Sequence, residues 1–167
     1  MKIGIDCRMI GSRFTGIGHY IENLIHELSI IDSQNTYILF MNKPEFDEFT
    51  LPNKRFKKVL TNAPIYSIKE QIQFAWTLYK ENLNLVHFPH FNAPILYLKK
   101  NIVTIHDVTL DSHAKNKFKK IAYKLSFFSN CIKAKKIICV SKFSKSQLNK
   151  KVIGTKKKSD VIYEGCT

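Results

Sequence analysis

Residues 11–20 read GSRFTGIGHY, between two segments of different periodicity. Before them, residues 2–7 (KIGIDC) form a short apolar run of the kind a buried strand makes. After them, Ile17, Tyr20, Ile21, Leu24, Ile25 and Leu28 recur at helical spacing across residues 16–31. Gly16 and Gly18 therefore fall where a strand hands over to a helix. Backbone N–H groups at a helix N-terminus are unpaired and partly positive, and glycine lets a phosphate approach them closely. The stretch is neither GxGxxG nor GxxxxGK[ST], so it gives no direct support for a dinucleotide or ATP site. A tight strand-to-helix loop would use the same residues, and both readings stay open here.

The alternation continues along the chain. Residues 36–41 (TYILFM), 56–60, 85–88, 102–105, 137–140 and 161–163 read as strands. Residues 67–81, 118–132 and 142–151 read as helices. In 118–132 the apolar set is Phe118, Ile121, Ala122, Leu125, Phe128 and Ile132, the stripe expected to pack on the sheet. Strands separated by helices imply an α/β fold, a Rossmann-like parallel β-sheet with helices on both faces. Ligands of such sheets sit at the carboxyl ends of the strands, near a switch in strand order. The polar segments 8–19, 87–92, 106–111 and 141–144 follow strands and are the candidate site. No internal repeat or low-complexity linker divides the 167 residues, which suffice for one core.

The charge balance is strongly basic: 27 Lys and Arg against 13 Asp and Glu give +14. Anionic partners follow from this, whether nucleic acid, phosphorylated ligands or a membrane surface. A general abundance of Lys, Asn and Ile is the blander source of the same charge. Residues 112–159 hold fifteen lysines and no Asp or Glu. Lys117, Lys119, Lys120 and Lys124 lie off the apolar stripe of the helix there, as candidates to face an anionic membrane; a solvated helix face is the alternative. A basic nucleic-acid-binding α/β domain is the other class. The chain carries no RNP-type motif, zinc knuckle or recognisable helix-turn-helix, so no nucleic acid is expected. Cys7, Cys131, Cys139 and Cys166 form no CxxC pair and read as reduced, mostly buried thiols of a cytoplasmic protein. Asp6 and Arg8 interrupt any signal-peptide core, and no run is long enough to span a membrane.

Two histidine segments remain. LVHFPHFNAP places His87 and His90 after a strand, around Pro89, and NIVTIHDV places His106 and Asp107 after another. These four side chains are possible metal ligands, but they lack a recognised zinc spacing. Histidines hydrogen-bonded within a polar loop are the structural alternative. Neither segment offers a Ser or Cys nucleophile beside a base.

Taken together, MKIGIDCRMIG with TGIGHYIENLIHEL, VHFPHFNAP, NIVTIHDVTL, IICVSKFSKSQL and VIYEGCT resemble, in order, the N-terminal half of glycosyltransferase family 4 enzymes with the GT-B fold. The resemblance implies that residues 1–167 are the acceptor-side Rossmann-like domain. The C-terminal domain that holds most of the donor is absent from this chain, which is expected to be inactive alone. It implies a retaining hexosyltransferase that moves a hexose or N-acetylhexosamine from a nucleotide-diphosphate sugar without a metal or other cofactor. The expected acceptor is a lipid-pyrophosphate-linked saccharide of bacterial surface polysaccharide synthesis, of O-antigen or capsule type. The expected location is cytoplasmic, peripheral at the inner membrane.

Position by position, Gly16, Ile17 and Gly18 match the loop facing the donor diphosphate. Arg8 matches a basic position able to face a phosphate. His106 matches the histidine at the reaction centre and Asp107 its acidic neighbour. Phe88, His90 and Asn92 match the acceptor loop. Ser141, Lys142 and Ser144 match the VSxFS segment at the cleft, with Lys142 standing where the family has Glu. Glu164 and Cys166 replace the usual Asn and Val.

Overall fold

The β-branched and aromatic runs form strands because each can be covered on two sides. β2 (Thr36–Met41) has five of its six residues buried, as a central strand of a two-faced sheet requires. A computed structural model describes residues 1–65, 67–108 and 117–165. Seven strands are seen: β1 (Lys2–Asp6), β2, β3 (Phe56–Leu60), β4 (Leu85–Phe88), β5 (Asn101–Ile105), β6 (Lys136–Cys139) and β7 (Ser159–Val161). All pairs are parallel, in the order β3-β2-β1-β4-β5-β6-β7. The chain steps outward from β1 to β3, returns to the middle, and steps the other way from β4. The switch point lies between β1 and β4, where Ile3 pairs with Leu85 and Ile5 with His87.

Period-two alternation divides the core between the two faces. On one face Ile5, Tyr37 and Leu39 pack with Ile21 and Ile25 of α1 (Thr15–Ile31). A short helix not expected from the sequence, α2 (Glu45–Glu48), lies on this side with Phe46 against the same cluster. Four residues are too few to show a helical period. On the other face Phe40, Val86, Phe88, Val103 and Ile105 pack with three helices. A π-helical segment, Glu70–Phe74, runs into α3 (Ala75–Lys80) and supplies Phe74 and Leu78. α4 (Lys117–Lys133) supplies Phe127 and Cys131, and α5 (Lys142–Lys151) supplies Leu148. Cys7, Cys131 and Cys139 are free and buried, and burial pushes the last two thiols up to about 12 and about 11. Cys166 lies outside the described residues.

α4 overturns one expectation. Most of the described stripe does not pack on the sheet: Ile121, Leu125 and Ile132 are 57%, 60% and 62% exposed, while Phe128 is half-buried against the core. The inward side is instead Ser126, Phe127, Asn130 and Cys131. The cause is the segment between β4 and β5, which lies under α4 with buried carbonyls that need donors. The Asn130 amide donates to Phe91 O at 3.0 Å and Ala93 O at 2.7 Å. Phe91 stacks edge-on against Phe127 with ring centroids 5.3 Å apart. The side chains of Phe118 and Ala122 lie outside the described residues.

The rotation of α4 has a measurable signature. Phe127→Ala should lower the unfolding free energy by about 3–5 kcal/mol in urea denaturation, as an emptied core site does. Leu125→Ala should change it by no more than about 0.5 kcal/mol. The reverse order would restore the expected packing.

Candidate functional site

The handover from β1 to α1 gives its glycines separate tasks. Gly11 adopts φ +94° and closes the turn. Gly18 is buried against it: a Cβ there would meet the Gly11 carbonyl oxygen at 2.5 Å and its nitrogen at 3.3 Å. Gly18 is thus a close-packing glycine and faces backbone. Gly16 is exposed, with nothing within 4 Å of a Cβ built on it. Ile17 is half-buried against the α1 side of the core. No side chain caps α1, so its first amides have no side-chain acceptor at the N-cap. Of the three residues expected at a diphosphate, Gly16 is the one with open space over it.

Arg8 follows β1 but does not face the crevice. Its side chain is 1% exposed. Nε and Nη2 bond both Asp6 oxygens at 2.8 and 2.7 Å, and Nη2 reaches Glu70 Oε1 at 2.7 Å. The guanidinium lies 3.8 Å from the Phe74 ring centroid. Burial alone would lower the Arg8 pKa, but the two carboxylates outweigh it and raise it. Burial raises the Glu70 carboxyl, against the pull of Arg8. Asn92 donates its amide to Glu70 Oε1 at 2.8 Å, which ties the acceptor-loop position to this cluster. Phe88 and Asn92 are themselves buried, Phe88 edge-on to Tyr97 in the core. These three, read as ligand-facing from the sequence, are internal supports. His90 is half-buried, and its Nδ1 accepts from the Asn92 amide at 3.3 Å.

The second turn of α1 meets β4 and β5. The Thr104 hydroxyl lies 3.2 Å from Tyr20 Oη and 2.8 Å from His87 Nε2. Burial, with His106 nearby, pushes His87 down to about 4, so this buried imidazole is neutral. Burial likewise raises the Tyr20 phenol. The Tyr20 ring stands edge-on to His106, centroids 5.1 Å apart. This contact brings the glycine loop and His106 to one rim. His106 Nε2 donates to Pro89 O at 2.8 Å, while Nδ1 lies 2.8 Å from Glu164 Oε1. Asp107 is exposed beside it.

The β6–α5 handover completes the rim. Ser141 caps α5, accepting from the Ser144 amide at 3.0 Å, and donates to Ser144 Oγ. Ser144 Oγ donates in turn to the His106 carbonyl at 2.9 Å. The two serines therefore hold the β5 loop, while Lys142 is exposed. A cavity of about 480 Å³ lies here, lined by His106, Asp107, Ser141, Phe143, Gln147 and Lys151 among others.

Tyr20, Thr104, Glu70 and Asn130 were not singled out from the sequence. Glu70, an acid four residues before inward-facing Phe74, carried the one usable signal. Among the described residues no three His, Cys, Asp or Glu side chains gather as metal ligands. Of the membrane-facing candidates, Lys124 is exposed on α4; the side chains of Lys117, Lys119 and Lys120 lie outside the described residues.

Two experiments probe this geometry. Gly18→Ala should cost about 1–3 kcal/mol of stability, because backbone must move, while Gly16→Ala should be neutral or stabilising by up to about 1 kcal/mol. Urea midpoints of both variants give the comparison. His87 takes its proton near 6.5 when unfolded and near 4 when folded. Its contribution is therefore complete above that range and is lost as pH falls through it, by up to about 1.4 kcal/mol per unit. Unfolding at pH 7, 6 and 5 should show this slope, and His87→Gln should flatten it.

Compared with protein-family models and with curated proteins, the chain matches none.

Proposed function

We propose that this chain is the acceptor-side half of a retaining, metal-independent glycosyltransferase. It moves a hexose or N-acetylhexosamine from a nucleotide-diphosphate sugar to a lipid-pyrophosphate-linked saccharide, as in bacterial surface polysaccharide synthesis. The enzyme works at the cytoplasmic face of the membrane. The observation that carries the reading is that α1, which begins after β1 without a side-chain cap and with Gly16 exposed in its first turn, meets His106 through the Tyr20 ring. Backbone dipoles there suit the charge that develops on a departing diphosphate, and they need no reorganisation as it forms. His106 has its Nε2 hydrogen fixed by Pro89 O, so Nδ1 is the nitrogen available to accept from a substrate hydroxyl when Glu164 is displaced. The cavity beside His106 is the acceptor end of the same crevice. A second half of the enzyme supplies most donor contacts, and this half alone does not turn over.

Amide NMR shifts tests the reading. UDP and GDP should shift residues 15–17 and 106–108 at millimolar concentration, and Gly16→Val should abolish the first set. Short RNA moving the same amides while both nucleotides leave them unmoved would favour the nucleic-acid-binding class instead.

A further inference from the structure

We infer that Glu164 is a latch on His106: its carboxylate covers the ring nitrogen not bonded to Pro89 and holds the imidazole doubly protonated until the segment after β7 lifts away. The chemistry of the two acceptors carries this. His106 lies between the Pro89 carbonyl, 2.8 Å from Nε2, and Glu164 Oε1, 2.8 Å from Nδ1. A carbonyl oxygen only accepts, so Nε2 carries a hydrogen. An ionised carboxylate also only accepts, and imidazole is the stronger base of the two, so the proton between them sits on Nδ1. With both nitrogens donating, the ring is an imidazolium. Once Glu164 leaves, the Nδ1 proton passes to water and that nitrogen becomes an acceptor, while Nε2 keeps its hydrogen on Pro89. The latch thus sets which half of a hydrogen bond His106 offers to the crevice.

The surroundings assign this role to Glu164. From α1, Tyr20 meets the ring edge-on, and its phenol is raised by burial first and by the Glu164 charge as well, so it stays neutral. From β4, His87 is neutral too, pushed down to about 4 by burial and by His106. From α5, Lys151 Nζ donates to Val108 O at 2.8 Å, and the Ser144 hydroxyl bonds the His106 carbonyl and not its ring. Asp107 and Lys142 are exposed at the same rim. Among the described residues Glu164 is the acid that pairs with the ring. The attachment is also built to open. The His106 side chain is 16% exposed but that of Glu164 is 46% exposed, and an ion pair with one wet side is weak. Ile162 still bonds the Cys139 carbonyl at 3.0 Å as the chain leaves β7. Beyond it Tyr163 and Gly165 are exposed, and the Glu164 side chain reaches back to the rim. The latch deepens the proposed use of His106, but its test contains no nucleotide and no sugar. Its failure would leave that reading standing, and a failure of nucleotide binding would leave the latch.

Nitrogen NMR of the imidazole rings, recorded on the 167-residue protein at pH 6.5, reads the state directly. His106 Nδ1 and Nε2 should both lie mainly in the protonated range. Glu164→Gln keeps the shape of the side chain, but its amide donates to Nδ1 in place of accepting from it. The ratio of charged to neutral ring should then fall about fivefold, with Nδ1 moving to the acceptor range and Nε2 still protonated. Glu164→Ala should speed acylation of the His106 ring by diethyl pyrocarbonate several-fold, because that reagent needs an unprotonated and uncovered nitrogen. Glu164 is exposed, so the urea midpoint of both variants should match that of the unmodified protein. Three results would overturn the inference. One is an Nδ1 already unprotonated in the unmodified protein. Another is a ring whose charge and acylation rate are the same in all three proteins. The third is loss of the Nε2 hydrogen together with that of Nδ1 in Glu164→Gln, which would mean that the ring had left Pro89.

Discussion

The carboxyl rim of this sheet depends on one buried cation. Arg8 lies inside the protein with Asp6 on one side, Glu70 on the other and the Phe74 ring against its plane. A guanidinium without such partners would not tolerate this burial, and two carboxylates so close would not share the site without it. The cluster therefore acts as a three-way fastener. Asp6 and Arg8 belong to the end of β1, Glu70 to the π-helical turn, and Asn92, through Glu70, to the loop after β4. Its place is beside the switch point, where β1 and β4 pair and the chain's winding direction reverses. Glu70 and Phe74, four residues apart, both face inward from this segment.

From that fastener the rest of the rim is built by hydrogen bonds between neighbouring loops. The loop after β4 reaches His106 through Pro89 O, and α5 reaches it through Ser144. Beneath, the hydroxyl of Thr104 joins α1 to β4. His106 is thereby held by residues from two other elements, which is the arrangement that gives a crevice a fixed shape.

Much of this was legible in the residues. Strand and helix alternate in plain periodicity, and β2, β3, β4 and α5 have the bounds that pattern indicates. The opening glycine turn was legible in kind as a strand-to-helix handover, with Gly16 left open to solvent. What the pattern did not show was which glycine does which job, because Gly18 is explained by the backbone of Gly11, seven residues earlier in the chain. Arg8, Phe88 and Asn92 looked available because each follows a strand. Their partners, Glu70 and Tyr97, come from segments that periodicity cannot place in space. α4 failed for a similar reason. A helical wheel gives an apolar side but not what lies underneath, and here a loop with carbonyls to satisfy took the sheet-facing position. His106 remained where strand-end reasoning put it, at the rim, while its contacts to Tyr20 and Glu164 needed the fold.

The sheet contains parallel pairs throughout, and this governs how the chain finds its shape. Without a single tight hairpin, no two strands can zip together from a shared turn; every pairing waits for a crossover to be laid down first. The β1–β4 pair is the extreme case, since α1, β2, α2, β3, the π-helical segment and α3 lie between its partners along the chain. Closing so large a loop is entropically uphill until the contacts at its neck repay it, and such topologies nucleate slowly. The middle of the sheet, the most protected part once formed, is thus the seam whose joining takes the most search.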